Sequence, residues 1–400
     1  MSSVTRPRVA HISTVHSALD PRIRLKQLPS LRSAGMEAHL ITADPGAAQR
    51  QGGAGPATAP VDHDGVVVHA ISRRSTTRLV RMVFLAPKAI LKARELRAEL
   101  IHIHDPELLP WARLLWPRSA QVVYDIHEDY TVALAHRHYL PRLIRRLGAR
   151  IFHLLERAWS KPFGRVIAER VYARRFADAT LLPNYPRLSL ASGEPSVDPE
   201  SRALLYTGNV TRDRGALQLA RMVRELPEVH LTLAGKCAAE LAAEIRAVVG
   251  SERIEIIGEG RHVPFEEIVA LYRERRWLAG VVLMPESPHY REKELTKFFE
   301  YMAAGLPIIA SDFPVWRKLI VEQDLGLCVD PGDVRMVRQA IAYLGSAPDH
   351  TRAMGARGQE LVRREYAWEH LAPKLITLYR NLMATRTHRE TTPRTDEAAS

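Results

Sequence analysis

Glu292, Lys297 and Glu300 lie in the segment REKELTKFFEYMAAGLPIIAS, at a spacing suited to an anionic ligand rich in hydroxyl groups. LTKFFEYMAAG has the length of a short helix closed by Gly305, and LPIIAS reads as the buried strand after it. Lys297 and Glu300 are three apart and share one helix face. A lysine neutralises phosphate charge, and a carboxylate accepts from sugar hydroxyls. The first turn of such a helix adds unpaired N–H groups and a positive dipole end. Glu292 lies eight positions before Glu300 in the loop that feeds the helix, with Glu294 close by. From spacing alone, a surface helix with solvated charges accounts for them equally well.

In LLYTGNVTRDRGALQLA a strand ends at Gly208, where a missing side chain permits close backbone approach to a ligand. Asn209 follows, and Arg214 opens a helix within reach of phosphate. An exposed arginine on an ordinary strand–turn–helix is the plainer reading. Two further polar clusters follow apolar runs in the first half of the chain. His104, Asp105 and Glu107 follow one (HIHDPELLP); Asp125, His127, Glu128 and Asp129 follow the next (VVYDIHEDY). Consecutive strand ends of a parallel sheet converge on one crevice, although a single histidine near a strand end is more often structural.

The elements that must position these groups alternate along the chain. Apolar strands are expected at 8–14, 38–43, 66–71, 100–105 and 122–127, with helical stretches between most of them. Residues 186–202 collect Pro, Ser and Gly and read as a linker. The alternation then restarts at 203–208, 229–235, 254–259, 280–285 and 307–311. Continuous apolar strands separated by helices indicate parallel sheets covered on both faces. This predicts an α/β chain with an N-terminal domain over 1–185 and a C-terminal domain over 203–367. Residues 384–400 are polar and aperiodic and are expected to be disordered.

Glu292-x7-Glu300 followed by EYMAAGLPIIAS resembles the donor-site motif of retaining glycosyltransferase family 4. HDPELL, D-x-HED and the loop HSALDPRIR resemble a bacterial polysaccharide- or glycan-type branch of that family. The likeness covers most of residues 8–380, and EYAWEHLAPKLITLYR resembles the closing helices, so that about 368–383 return to the N-terminal domain. It implies the GT-B fold: two Rossmann-like domains with parallel sheets facing across an interdomain cleft. It further implies a UDP- or GDP-sugar donor held on the C-terminal domain by Gly208, Asn209, Arg214, Lys297, Glu300 and Glu294. Glu300 would hold the ribose. Glu292, or Glu294 in its place, would contact the sugar, as would His127. His16, Asp20, Arg22, His104, Asp105, Glu107 and Glu128 would stand on the acceptor side. Two departures are visible. The glycine-containing turn usual after the first glutamate is Lys293–Glu294, and Asn209 occupies a position that is typically basic. Base contacts would be largely backbone, around 258–264. No cofactor is required and no metal-ligand spacing is evident; Mg²⁺ would enter only with a diphosphate.

Bulk properties agree with a globular two-domain protein. Its 400 residues exceed what one core usually serves. Two cysteines make no disulfide framework and fit a reducing cytoplasm. The first residues lack a signal-peptide apolar region, and no uncharged apolar run is long enough for a membrane span. Residues 1–190 carry 29 Lys/Arg against 15 Asp/Glu, a net +14, and the remainder carries −2. The first half is therefore expected to meet an anionic partner. Residues 140–159 put Leu140, Leu143, Ile144, Leu147, Ile151, Leu154 and Leu155 on one face, with arginines largely elsewhere. This is read as a core-packed helix with a solvated basic face; an interfacial helix at the inner face of an anionic membrane is the other reading. Nucleic acid is excluded as a partner, because basic and aromatic residues do not interleave. The expected activity is hexosyl transfer to a glycan or lipid-linked acceptor in cell-surface polysaccharide biosynthesis. A GT-B-fold epimerase would instead convert a nucleotide sugar with no acceptor present. A non-catalytic partner or binding subunit would turn over no donor.

Overall fold

The computed structural model describes residues 6–44, 61–63, 65–72, 77–117, 120–127, 142–250 and 252–391. Glu128 lies outside the described residues. The chain divides into two compact units, Met1–Pro183 with Leu371–Ser400, and Asn184–His370.

The first unit is built on strands β1 (Arg8–Ser17), β2 (Glu37–Asp44), β3 (Val61–His63), β4 (Val66–Ala70), β5 (Leu100–Ile103), β6 (Gln121–Ile126), β7 (Gly164–Ile167) and β8 (Thr180–Leu181). They order as β3-β4-β2-β1-β5-β6-β7-β8. Among the described residues, only β3 runs antiparallel to its neighbour. Val9, Ile12, Ile101, Ile103 and Val123 are fully buried, which is why these strands read as unbroken apolar runs. Strand order reverses between β1 and β5, and open α/β sheets bind ligands outside the carboxyl ends of strands at such a point.

The second unit carries β9 (Ala203–Thr207), β10 (His230–Cys237), β11 (Ile254–Glu259), β12 (Ala279–Val282), β13 (Ile308–Ser311) and β14 (Gly326–Val329). Their order, β11-β10-β9-β12-β13-β14, is that of a Rossmann sheet with all neighbours parallel. Here the switch point lies between β9 and β12.

Three expectations are corrected. Residues 186–202 do not form a free linker. They contain a 3₁₀ turn over Leu188–Ser192, and their backbone is tied to the second unit. Ser196 N donates to Ala304 O, and Asp198 N to Trp277 O, each at 2.8 Å. Proline-rich composition marks irregular backbone, not detachment. The polar C-terminal stretch is helical further than expected, since the last helix runs over Trp368–Thr391. The Arg142–Ser160 helix buries Glu156 and Ser160 and exposes Leu147, Ile151, Leu154 and Leu155. Its apolar stripe is not the core-facing side.

Candidate functional site

In the second unit the strand-end glycine and the motif helix meet. Gly208, just after β9, has φ +102°, and a Cβ there would lie 3.4 Å from Lys297 Nζ and 3.7 Å from Arg214 Nη1. Both cations therefore converge on the space that this glycine leaves open. Lys297 is the second residue of the helix Thr296–Ala303, whose N-cap, Leu295, supplies no capping side chain. Only 8% of Lys297 is exposed. Its amine sits 3.7 Å over the Tyr206 ring and has no hydrogen-bond partner. Burial pushes this amine well below the ordinary lysine value; the Arg214 charge adds to that, and Glu300 opposes it. A group so placed regains its full charge when an anion arrives.

Arg214 ends the short turn Arg212–Arg214, and its charge lies close enough to the Tyr206 and Tyr290 hydroxyls to oppose the rise in pKa that burial causes. Tyr290 in turn donates to Asp213 Oδ2 at 3.2 Å. The next residue, Gly215, has φ +82°, and a Cβ there would fall 2.1 Å from Leu283 O. The turn can close on the end of β12 only with glycine at this position. Glu300 accepts from the Tyr272 hydroxyl at 3.2 Å. Glu292, exposed, follows the turn Pro288–Arg291, while Glu294 is half-buried just before the motif helix. Asn209 lines an open cavity of about 460 Å³ with Thr211, Arg212 and Lys236. Lys236 was not anticipated, although its place after Gly235 in β10 repeats the Gly208–Asn209 pattern.

In the first unit His16, near the end of β1, and His127, just after β6, meet through their Nε2 atoms at 2.7 Å. His16 Nδ1 lies 3.4 Å from Asp20 Oδ2, and His16 Nε2 lies 3.6 Å from Asp105 Oδ1. Burial lowers the His127 pKa, and the facing His16 lowers it further, which disfavours both rings being positively charged at once. Burial alone would raise the Asp20 carboxyl, but the bonds from His16 and Ile23 bring it below its usual value. Asp105 is fully buried and accepts from Thr14 N at 2.6 Å and Ser13 Oγ at 2.9 Å. It anchors the β1 loop. Glu107 accepts from Thr14 Oγ1 at 2.6 Å and pairs with Arg81 at 3.4 Å.

Arg22 and His104, also expected on the acceptor side, are buried in the interior as Asp105 is. Arg22, 5% exposed, grips Asp125 through Nε and Nη2, each at 2.9 Å, and donates its Nη1 to Leu182 O. His104 is buried and shares a proton with His11 at 2.9 Å. The Tyr379 hydroxyl, on the returning helix, meets His11 Nε2 at 3.1 Å and also bonds His102. His102 Nε2 and His104 Nδ1 face Asp125 Oδ2 at 3.6 and 3.5 Å. His11, His102 and His104 hold ring nitrogens within 4.8 Å of one another, as do His104 and His127 with an Asp125 oxygen. Sequence spacing shows no sign of these metal-competent sets. His11 and one nitrogen each of His102 and His104 are engaged with one another and with Tyr379, whereas His102 Nε2, His104 Nδ1 and His127 Nδ1 have no hydrogen-bond partner; the Arg22 guanidinium beside Asp125 repels a further cation.

Burial keeps His11, His102 and His104 deprotonated, with pKa values below 6.5. The unfolded chain binds these protons near pH 6.5, whereas the folded one does not, so stability must fall as pH falls. We expect the urea midpoint to drop between about pH 7.5 and about 5.5, where carboxylates stay ionised in both states. An unchanged midpoint across that range would show that these imidazoles charge in the fold.

The sequence model of Glycosyltransferase Family 4 matches residues 25–177, and a Glycosyl transferase-like model matches residues 212–377. The alpha-maltose-1-phosphate synthase of Mycolicibacterium smegmatis is 25% identical over 200 residues, 48% of this chain and 51% of that protein. The match thus spans about half the length of that relative. The phosphatidyl-myo-inositol mannosyltransferase of the same organism is 25% identical over 301 residues, 70% of each chain. Among solved structures, sucrose-phosphate synthase from Thermosynechococcus elongatus superimposes with a TM-score of 0.71 at 19% identity, covering 95% of this chain and 100% of that one. That likeness concerns the fold. Two Rossmann-type parallel sheets, a strand-end glycine under a lysine-bearing helix, and two glycosyltransferase models that together run through both units lead to one assignment: the chain is a glycosyltransferase of the GT-B fold, matched to family 4 over residues 25–177.

Proposed function

We propose that this protein transfers a hexosyl group from a UDP- or GDP-sugar to a glycan or lipid-linked acceptor, with retention of anomeric configuration. The observation that carries the proposal is the buried, unpartnered Lys297 amine beside Arg214 at an uncapped helix start. Two cations and a positive dipole end, with a glycine leaving room in front of them, suit a diphosphate. They stabilise the negative charge that develops on it as the glycosidic bond breaks. Glu300 holds ribose hydroxyls, and Glu292 or Glu294 holds hydroxyls of the transferred sugar. Lys236, in the cavity it shares with Asn209, offers the charge that Asn209 lacks. On the first unit, His127, oriented by His16, reaches the sugar, and Asp20 stands on the acceptor side. These side chains position and neutralise; none is assigned as a nucleophile. The protein's own cations do the work of a metal at the diphosphate, and Mg²⁺ enters only as a companion of the donor.

A lipid-linked acceptor is in keeping with the relative named a phosphatidyl-myo-inositol mannosyltransferase. We place the reaction in cell-surface polysaccharide biosynthesis, at the cytoplasmic face of a membrane. Screening UDP- and GDP-sugars by thermal denaturation tests the donor assignment without any acceptor. One base series is expected to raise the melting temperature by several degrees, since saturation at ~100 times Kd stabilises by about 2.7 kcal/mol. If neither series moves it, the donor reading fails.

A further inference from the structure

Among the described residues, eleven of the fifteen exposed large apolar side chains fall between Leu79 and Leu155, all in the first unit. They are carried by three helical runs, Arg78–Val80 continued through Arg81–Leu85 and Ala86–Glu95, then Leu109–Leu115, then Arg142–Ser160. The helix Leu109–Leu115 packs against both Ala86–Glu95 and Arg142–Ser160. Trp111 Nε1 donates to Met82 O at 2.8 Å, and Arg94 Nη1 to Leu115 O at 3.0 Å, which knits the layer together. In Ala86–Glu95, the residues Ala86, Ala89, Ile90 and Ala93 face the core. In Arg142–Ser160 the core side carries Glu156 and Ser160. At 3.6 residues per turn, Leu147, Ile151 and Leu154 then project from the opposite side, and Leu154 is 65% exposed. Phe84, 66% exposed, adds an aromatic to the same layer.

Most of the charges flanking this apolar surface are basic, and the exposed Glu95 is paired with Lys92 at 2.8 Å. Arg146, Arg150 and Arg157 are exposed along one flank of the stripe, and Arg78, Lys88 and Arg94 are exposed on the neighbouring segments. The one acidic residue in Arg142–Ser160, Glu156, is buried against Arg175 and Tyr124 and does not offset them. Apolar side chains flanked by arginines on one helix face have the chemistry of an interfacial helix.

We propose that this layer docks onto a membrane surface rich in anionic lipid, with Phe84, Leu147, Ile151 and Leu154 entering the headgroup–acyl boundary and the arginines meeting lipid phosphates. Charge complementarity selects this occupant. A second copy of the chain docking through the same face would set arginines against arginines. Nucleic acid would satisfy the arginines and leave the leucines in water. The inference stands on the first unit alone and does not depend on the donor assignment.

Sedimentation of the full chain with vesicles tests it. The protein should pellet with vesicles of equimolar phosphatidylglycerol and phosphatidylcholine, far less with phosphatidylcholine alone, and less as salt is raised. Leu154→Glu combined with Phe84→Glu should lower the bound fraction by about tenfold. Arg150→Glu should weaken binding to anionic vesicles only. All three sites are exposed, so the melting temperature and its shift with nucleotide should stay at the wild-type values. Equal pelleting with neutral vesicles, or undiminished pelleting of the double variant, overturns the proposal. So does a dimer, seen by light scattering, that Leu154→Glu dissolves.

Discussion

Lys297→Met is expected to lower kcat/KM for the stabilising donor by about 10²–10³-fold while leaving the melting temperature unchanged or higher. The two halves of that result have one cause. In the empty protein the Lys297 amine is buried without a hydrogen-bond partner and faces Arg214, so its charged form is a liability to the fold. Methionine matches the length of the stem and keeps the packing on Tyr206 while removing that liability. The loss appears only when the departing diphosphate needs a counter-charge. Steady-state rates and thermal melts on the same preparations check both halves. Wild-type turnover in the variant would remove Lys297 from the donor site. A large drop in melting temperature would show the lysine to be structural.

Asp125→Ala is expected to destabilise the first unit by about 3–5 kcal/mol. Asp125 accepts two bonds from Arg22 and one from Gln27 at 2.8 Å. Burial alone would raise its carboxyl, yet the Arg22 guanidinium and the facing His102 ring hold it well below the usual carboxylate range. Truncating it strands the guanidinium in the interior with Leu182 O as its remaining acceptor. The cost is therefore that of an uncompensated buried charge, beyond the loss of a contact. Asp125→Asn keeps an acceptor in place and should lose less. Urea midpoints of the two variants, read against an exposed control such as Arg113→Ala, check the ranking. An Asp125→Ala midpoint equal to the control's would refute the buried-pair account.

The ease of reading each residue from sequence follows from how local its determinants are. Lys297 and Glu300 were legible because both lie in one helix, where periodicity fixes the shared face. Gly208 was legible because a strand-end glycine is a local event. Arg22 was misread as a ligand contact because the groups that bury it, Asp125 and Leu182, are 103 and 160 residues away. His11, His102 and Tyr379 were passed over for the same reason: each looks like an ordinary residue until three distant segments meet. Residues 186–202 misled through composition, since their tether to Trp277 and Ala304 runs through backbone atoms. The short strands β7, β8 and β14, of two to four residues, fall below the length at which an apolar run stands out. Amphipathicity in Arg142–Ser160 identified the apolar face but not what covers it, because moment carries no information about neighbours.

The Tyr379 hydroxyl that joins His11 to His102 also sets an order of events in synthesis. The first unit is written in two parts, with the whole of the second unit between them. As the chain emerges from the ribosome, the eight-stranded sheet is complete in sequence long before the helix that closes it exists. Until that helix arrives, His11 and His102 lack their hydroxyl partner, and the space beside Gly164, which Leu378 and Leu382 line in the finished protein, stands open. The second unit, uninterrupted from Asn184 to His370, can finish first. Of the two units, the one whose translation starts earlier is the later to mature, and a newly made chain passes through a stage in which that unit waits on a helix made after the other is complete.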